Sequence, residues 1–358
     1  MAQTAWVEKA QIGNIRITDT TLPPLSDGAV RLRVESFSVT ANNVTYAAIG
    51  DMFGYWNFFP TGEEGQGIVP MWGHAVVESS NHADIAVGER VYGYLPMGTH
   101  LDVAPGLVSA GQFTDTTDYR QPMSVFYNQY SRINADPEHD PAREDARMIF
   151  GPLFKTGFLI EAMMRREGWF GAQQLIMTSA SSKTAMALAH CTKENSPTIK
   201  RIGLTSAGNV DFVRSTGLYD AVRSYGGELN LSEEPAVCVD FAGNAAVLRS
   251  VHEALGDALK YSCLVGATHI EARGGSSDPL PGPAPILFFA PDHATATIKD
   301  LGPKGFGEAV GASWRGFLGL TKDFMAVDHR DGLAAAADAF GATVRGEADP
   351  AVGIVVRP

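Results

Sequence analysis

The chain has 358 residues, enough for two ordinary domains, and a composition of 45% hydrophobic and 19% charged residues excludes a disordered or low-complexity protein. Its 28 basic and 40 acidic residues leave a net charge of -12, which disfavours binding along a nucleic-acid phosphate backbone. The first residues carry no basic segment leading into an apolar one, and no apolar run reaches about 18 residues. The three cysteines, Cys191, Cys238 and Cys263, are odd in number and form no CxxC pair. These features predict a soluble, cytoplasmic protein with no membrane or nucleic-acid partner, no disulfide framework and no cysteine zinc site.

Roughly the first 125 residues read as β-structure. In 29–38, Val30, Leu32 and Val34 alternate with Arg31, Arg33 and Glu35, the period of a half-buried strand. Further strands are predicted at 69–79 and 90–95, with Gly and Pro punctuation between them, so a compact barrel or sandwich fits. The stretch 136–147 is charged and carries prolines, and reads as a linker or an exposed approach to a helix.

Beyond it the texture changes. A helical pattern covers 153–166, and short apolar runs at 174–179, 201–205, 236–240 and 261–265 then alternate with helical patterns at 183–193, 209–215 and 245–255. That alternation predicts a parallel sheet covered on both faces. Three glycines and four prolines make 274–285 a loop, either a lid over a ligand crevice or a solvated excursion. A helix at 332–340 and a strand at 352–356 close the chain, the strand returning to the first domain.

The first apolar run of the second half ends in Thr178-Ser179-Ala180-Ser181-Ser182-Lys183-Thr184-Ala185, directly before an apolar helix. A helix N-terminus offers free backbone N–H groups and a positive dipole end to a phosphate, the hydroxyls add donors and Lys183 adds a cation. The same residues also fit a serine cap with no ligand. The glycine fingerprint of a dinucleotide turn is missing, with Ser179, Ser182 and Ala185 in the slots that glycine takes. The second run ends in Thr205, Ser206 and Asn209 with no acidic residue, which tilts a dinucleotide towards NADP(H); a polar turn capped by Asn209 is the plain alternative.

Taken together, Trp72-Gly73-His74-Ala75, Val87-Gly88-Glu89-Arg90-Val91, the 175–189 unit, Val239-Asp240-Phe241-Ala242-Gly243 and the terminal helix and strand resemble the medium-chain dehydrogenase/reductase superfamily, in its zinc-independent, quinone-reductase-like branch. Asn42-Asn43-Val44-Thr45-Tyr46, Tyr55-Trp56, the 179–184 motif and Thr268-His269 place the chain in a poorly characterised, divergent group of that superfamily. The resemblance implies an α/β chain: a GroES-like β-barrel domain over 1–130, completed by 325–358, and a Rossmann doubly wound parallel-sheet domain over 131–324. It also implies an active site in the cleft between the domains and a homodimer.

Zinc-dependent relatives use a cysteine and a Gly-His-Glu motif in the first domain. Here Ala75 stands in the glutamate position, leaving His74 without the usual companions, so no metal is expected. A tyrosine then becomes the natural proton donor: Tyr55 lies near the position of the tyrosine in enoyl-reductase relatives, and Tyr46 is its rival. Each also reads as a packed aromatic. Asn42 is a candidate to orient substrate, or a helix cap. Gly243 and Gly266 mark close backbone approach to a cofactor, and His269 is placed near its nicotinamide end. With Ser179, Ser181, Ser182, Lys183, Thr184, Thr205, Ser206 and Asn209, they complete the expected cofactor-binding set.

The leading expectation is NADP(H)-dependent reduction of a small carbonyl, quinone or activated alkene, with tyrosine-assisted protonation. A degenerate, non-redox member of the same fold is the alternative. Phosphoryl transfer is disfavoured, because Met177 and Ser182 stand where a P-loop needs glycine.

Overall fold

A computed structural model describes residues 2–265 and 279–358. The chain divides into two compact units, Met1–Ile149 with Val327–Pro358, and Phe150–Ala326.

In the first unit the strand Val30–Val39 pairs antiparallel with Pro70–Ser80, which pairs in turn with Arg90–Pro96. The sheet continues through Gln129–Arg132 to Gln112–Asp115. A smaller sheet joins Ala2–Glu8 to Ile15–Thr20 and Gln66–Gly67. The alternation of Val30, Leu32 and Val34 does its expected work: all three are buried, while the arginines between them are at least partly exposed. The terminal strand Val352–Arg357 pairs with the far end of Val30–Val39, Ile354 opposite Val39 and Val356 opposite Phe37. Before it, the helix Leu333–Val344 buries Leu333, Ala336, Ala339 and Phe340 in the same core.

The first unit extends past residue 130, and the charged stretch 136–147 leads into a helix as expected, with Pro137 and residues 140–142 exposed but its ends anchored. Asp136 pairs with Arg147, their side chains only 5% and 6% exposed. The Arg147 guanidinium lies 4.1 Å from the Tyr92 ring centre, and Arg90 grips Glu144 through two nitrogens at 2.7 and 3.0 Å. The helix predicted from 153 therefore starts at Glu144 and runs to Arg166, with Pro152 inside it. Proline has no N–H for the carbonyl four residues back, and the Ser38 hydroxyl donates to that carbonyl, of Met148, at 2.7 Å.

The second unit holds a six-stranded sheet in the order Ala221–Ser224, Lys200–Thr205, Gln174–Met177, Ala236–Asp240, Leu259–Leu264, Ile286–Leu287. Every pair in it is parallel. In chain order this is 3-2-1-4-5-6, the doubly wound dinucleotide-binding arrangement, whose switch point lies beside the first strand, Gln174–Met177. Residues 279–285 of the Pro-rich segment form no helix or strand, and its first half, with the possible lid, lies outside the described residues.

Candidate functional site

In the second unit, Gln174–Met177 is buried along its whole length and ends at Thr178. The Thr178 hydroxyl donates to Asp240 at the end of the neighbouring strand and accepts the N–H groups of Phe241 at 2.9 Å and Ala242 at 3.2 Å. Asp240 also accepts from the Gly243 N–H at 3.1 Å, where φ of 63° suits a residue without Cβ. This acid orders backbone at the strand ends.

Ser179 then takes a left-handed φ of 46°, the conformation expected of the first fingerprint glycine. Its N–H donates to the Tyr225 hydroxyl. Ala180 is fixed on both sides, its N–H donating to the Leu204 carbonyl at 2.9 Å and its carbonyl accepting from the Tyr219 hydroxyl at 2.7 Å. Ser182 is the N-cap of the helix Lys183–Asn195, its hydroxyl accepting the Ala185 N–H at 3.3 Å.

Three of the predicted residues converge. The Ser181 hydroxyl accepts from Asn209 Nδ2 at 3.2 Å and from the Thr205 hydroxyl at 3.4 Å. Asn209 thus directs its amide to the turn and not to a capping bond. Lys183 and Thr184 occupy the first helical turn, partly buried, and Ser206 is exposed. Gly266 and His269 lie outside the described residues. Sequence reading missed Tyr219 and Tyr225, which flank the short edge strand Ala221–Ser224. A strand of four residues with two polar members leaves almost no periodic signal.

The first unit carries the tyrosines. Tyr46, on the helix Ala41–Ala48, and Tyr55, in the short turn Tyr55–Asn57, are both buried with ring centres 4.6 Å apart. Trp72, Tyr94, Tyr127 and Phe58 complete an aromatic cluster around them. The Tyr46 oxygen accepts two hydrogen bonds, from Trp72 Nε1 and from Asn42 Nδ2, each at 3.1 Å. Tyr55 shares its hydroxyl with that of Tyr127 at 3.1 Å. Thr40 is the N-cap of this helix and Asn43 closes a capping box, its Oδ1 accepting the Thr40 N–H at 2.7 Å; Asn42 accepts from the Thr40 hydroxyl through Oδ1 and gives its Nδ2 to Tyr46. Burial, together with repulsion from Tyr55, holds the Tyr46 phenol well above its usual range, and burial raises Tyr55 as well. Both therefore keep their protons.

A family profile described as a protein of unknown function, DUF2855, matches residues 37–349, well over half of the chain. The chain belongs to this family. No curated protein matches the sequence. Among solved structures, CurA from Vibrio vulnificus in complex with NADPH is similar over 99% of this chain and 98% of its own, at 16% identity and a TM-score of 0.63. Mycobacterial Rv1454c complexed with NADPH is similar over 100% of both chains, at 14% identity and a TM-score of 0.57. The yhdH oxidoreductase from Salmonella enterica in complex with NADP is similar over 99% of both, at 12% identity and a TM-score of 0.53. At these identities the likeness is one of fold, a GroES-like domain with a Rossmann domain. Among the described residues no helix is long and apolar enough to cross a membrane.

Proposed function

We propose that this chain is an NADP(H)-dependent oxidoreductase that reduces a small carbonyl, quinone or activated alkene, with Tyr46 delivering the proton. The observation that carries the reading is the turn 178–184, set at the switch point of the parallel sheet, in a fold shared with three similar structures solved with NADPH or NADP. The helix N-terminus capped by Ser182 would face the diphosphate, with Ser181, Lys183 and Thr184 beside it. Thr205, Ser206 and Asn209 at the end of the second strand carry no carboxylate to repel a 2′-phosphate.

Bound NADPH supplies the hydride. The protein's part is to protonate the oxygen or carbon on which negative charge develops. Tyr46 suits this better than Tyr55, because Trp72 and Asn42 donate to its oxygen and leave its own hydrogen for the substrate. Asn42 acts by fixing that oxygen. With a phenol in this role, no zinc is required at the reacting atoms. A homodimer belongs to the same reading and is checked by light scattering on the purified chain.

A specific observation supports a second reading, a degenerate non-redox member. The turn's polar groups already satisfy one another, Tyr225 on the Ser179 N–H and Asn209 on Ser181. Titration calorimetry separates the two. Binding of NADPH and not NADH is expected, and absence of binding by either at about millimolar concentration (a free energy near -4 kcal/mol) overturns the redox reading.

A further inference from the structure

We propose that His74, His139 and Glu144 hold a divalent transition-metal ion, zinc in the first instance, as a structural fastening within the first unit. This goes beyond the redox reading and does not depend on it.

One potential ligand atom from each of the three residues lies within 4.8 Å of the others, and Glu144 Oε1 is 3.6 Å from His139 Nε2. His74 has no exposed surface, yet neither of its ring nitrogens meets a hydrogen-bond partner among the described residues; His139 Nδ1 is in the same position. A neutral imidazole carries one N–H and one lone pair, so a ring buried with neither engaged is anomalous, and a metal ion engages the lone pair directly.

The surrounding charges are paired with one another. Arg90 pairs with Glu35 and Glu144, and Arg147 pairs with Asp136 and approaches Glu138 at 4.0 Å. Arg90 takes one hydrogen bond on each Glu144 oxygen, and each oxygen has a second lone pair. Two imidazoles and a carboxylate suit zinc, with water completing the tetrahedron. Bonds of about 2.0–2.2 Å bring neighbouring ligands to about 3.4 Å, so the side chains close by roughly 1 Å on binding.

His74 comes from the strand Pro70–Ser80, whereas His139 and Glu144 come from the loop before the helix Glu144–Arg166 and from its first residue. The ion would pin that loop and helix start to the sheet. Held between a strand and a helix start, the centre is proposed as a structural fastening.

The full-length chain, purified without chelator, is expected to carry about one equivalent of metal by plasma emission spectrometry. Chelator treatment should lower its Tm, and added Zn2+ should restore it. Co2+ added to the stripped chain should give visible d–d absorption. His139→Ala should remove the metal, the Tm response and the cobalt spectrum; should that variant fail to fold, the spectrum of the wild-type chain decides alone. Negligible metal as purified, with no Tm or spectral response to Zn2+ and Co2+, overturns the proposal. So does a His139→Ala chain that responds like the wild type.

Discussion

The Tyr225 hydroxyl accepts the backbone N–H of Ser179, the residue whose left-handed turn joins the first strand of the parallel sheet to its helix. In a glycine-rich turn that region of backbone approaches the diphosphate. Here a phenol covers the amide, and its own hydrogen stays available to an anion. On the proposed reading a side-chain hydroxyl would stand in for an exposed backbone donor. Tyr225→Phe should weaken NADPH binding by roughly tenfold or more in calorimetry, the loss of one hydrogen bond to a charged group. Unchanged or tighter binding would mean that the phenol blocks the site instead of serving it.

Ser179 bears the backbone conformation of glycine with a side chain attached. A non-glycine residue in the left-handed region costs about 1–2 kcal/mol, and glycine returns part of that through the greater freedom of the unfolded chain. Ser179→Gly should therefore stabilise the protein by roughly 0.5–1 kcal/mol, read as a higher urea midpoint at unchanged slope. A lower midpoint would show that the serine side chain holds the turn.

Where the sequence was informative, it was so through periodicity. The continuous apolar run Ala236–Asp240 and the helix Ala245–Leu255 lie where their patterns placed them, because burial on both faces of a strand and on one face of a helix leaves a direct mark on composition. The charged stretch 136–147 reads as an exposed approach to a helix, which fits Pro137 and residues 140–142 but not the anchored Arg147. A run of charge usually marks a solvated segment, and only the fold reveals that Arg147 finds Asp136 and the Tyr92 ring. In the sequence, Tyr55 stands near the tyrosine of enoyl-reductase relatives and Tyr46 is its rival. What distinguishes them is Trp72, 26 positions along the chain from Tyr46, delivered by a strand whose register no local pattern encodes.

The Asp136–Arg147 pair gives a stability test. Removing one member of a buried ion pair strands the other's charge, at a cost of about 3–5 kcal/mol. Asp136→Asn should lower stability by that order in denaturant melts. Exchanging both residues together for Asn and Met should cost less than Asp136→Asn alone, since no charge is then left buried.

The three thiols offer a simpler probe. Cys191, Cys238 and Cys263 are all fully buried, and burial raises each thiol above its ordinary range, so the reactive thiolate is scarce at neutral pH. A thiol reagent should label none of them in the native chain and all three in denaturant. Rapid native labelling would reveal local opening of the parallel sheet or its helices.

The proton donor is best tested by comparing the two tyrosines over pH. Tyr46→Phe removes the hydroxyl whose oxygen is held by Trp72 and Asn42, and should lower kcat by about 10²–10⁴-fold while leaving NADPH binding intact. Tyr55→Phe removes a hydroxyl engaged with Tyr127 and should change kcat far less. The active form of Tyr46 is the protonated phenol, and burial followed by repulsion from Tyr55 raises its pKa. Activity attributable to it is present below that raised value and disappears only as pH climbs through it. The rate should accordingly stay level past about pH 10, where an ordinary tyrosine begins to ionise. A fall in kcat near neutrality that vanishes in Tyr46→Phe would assign this phenol a low pKa, which its dry aromatic surroundings do not permit. A fall that persists in the variant would belong to another group.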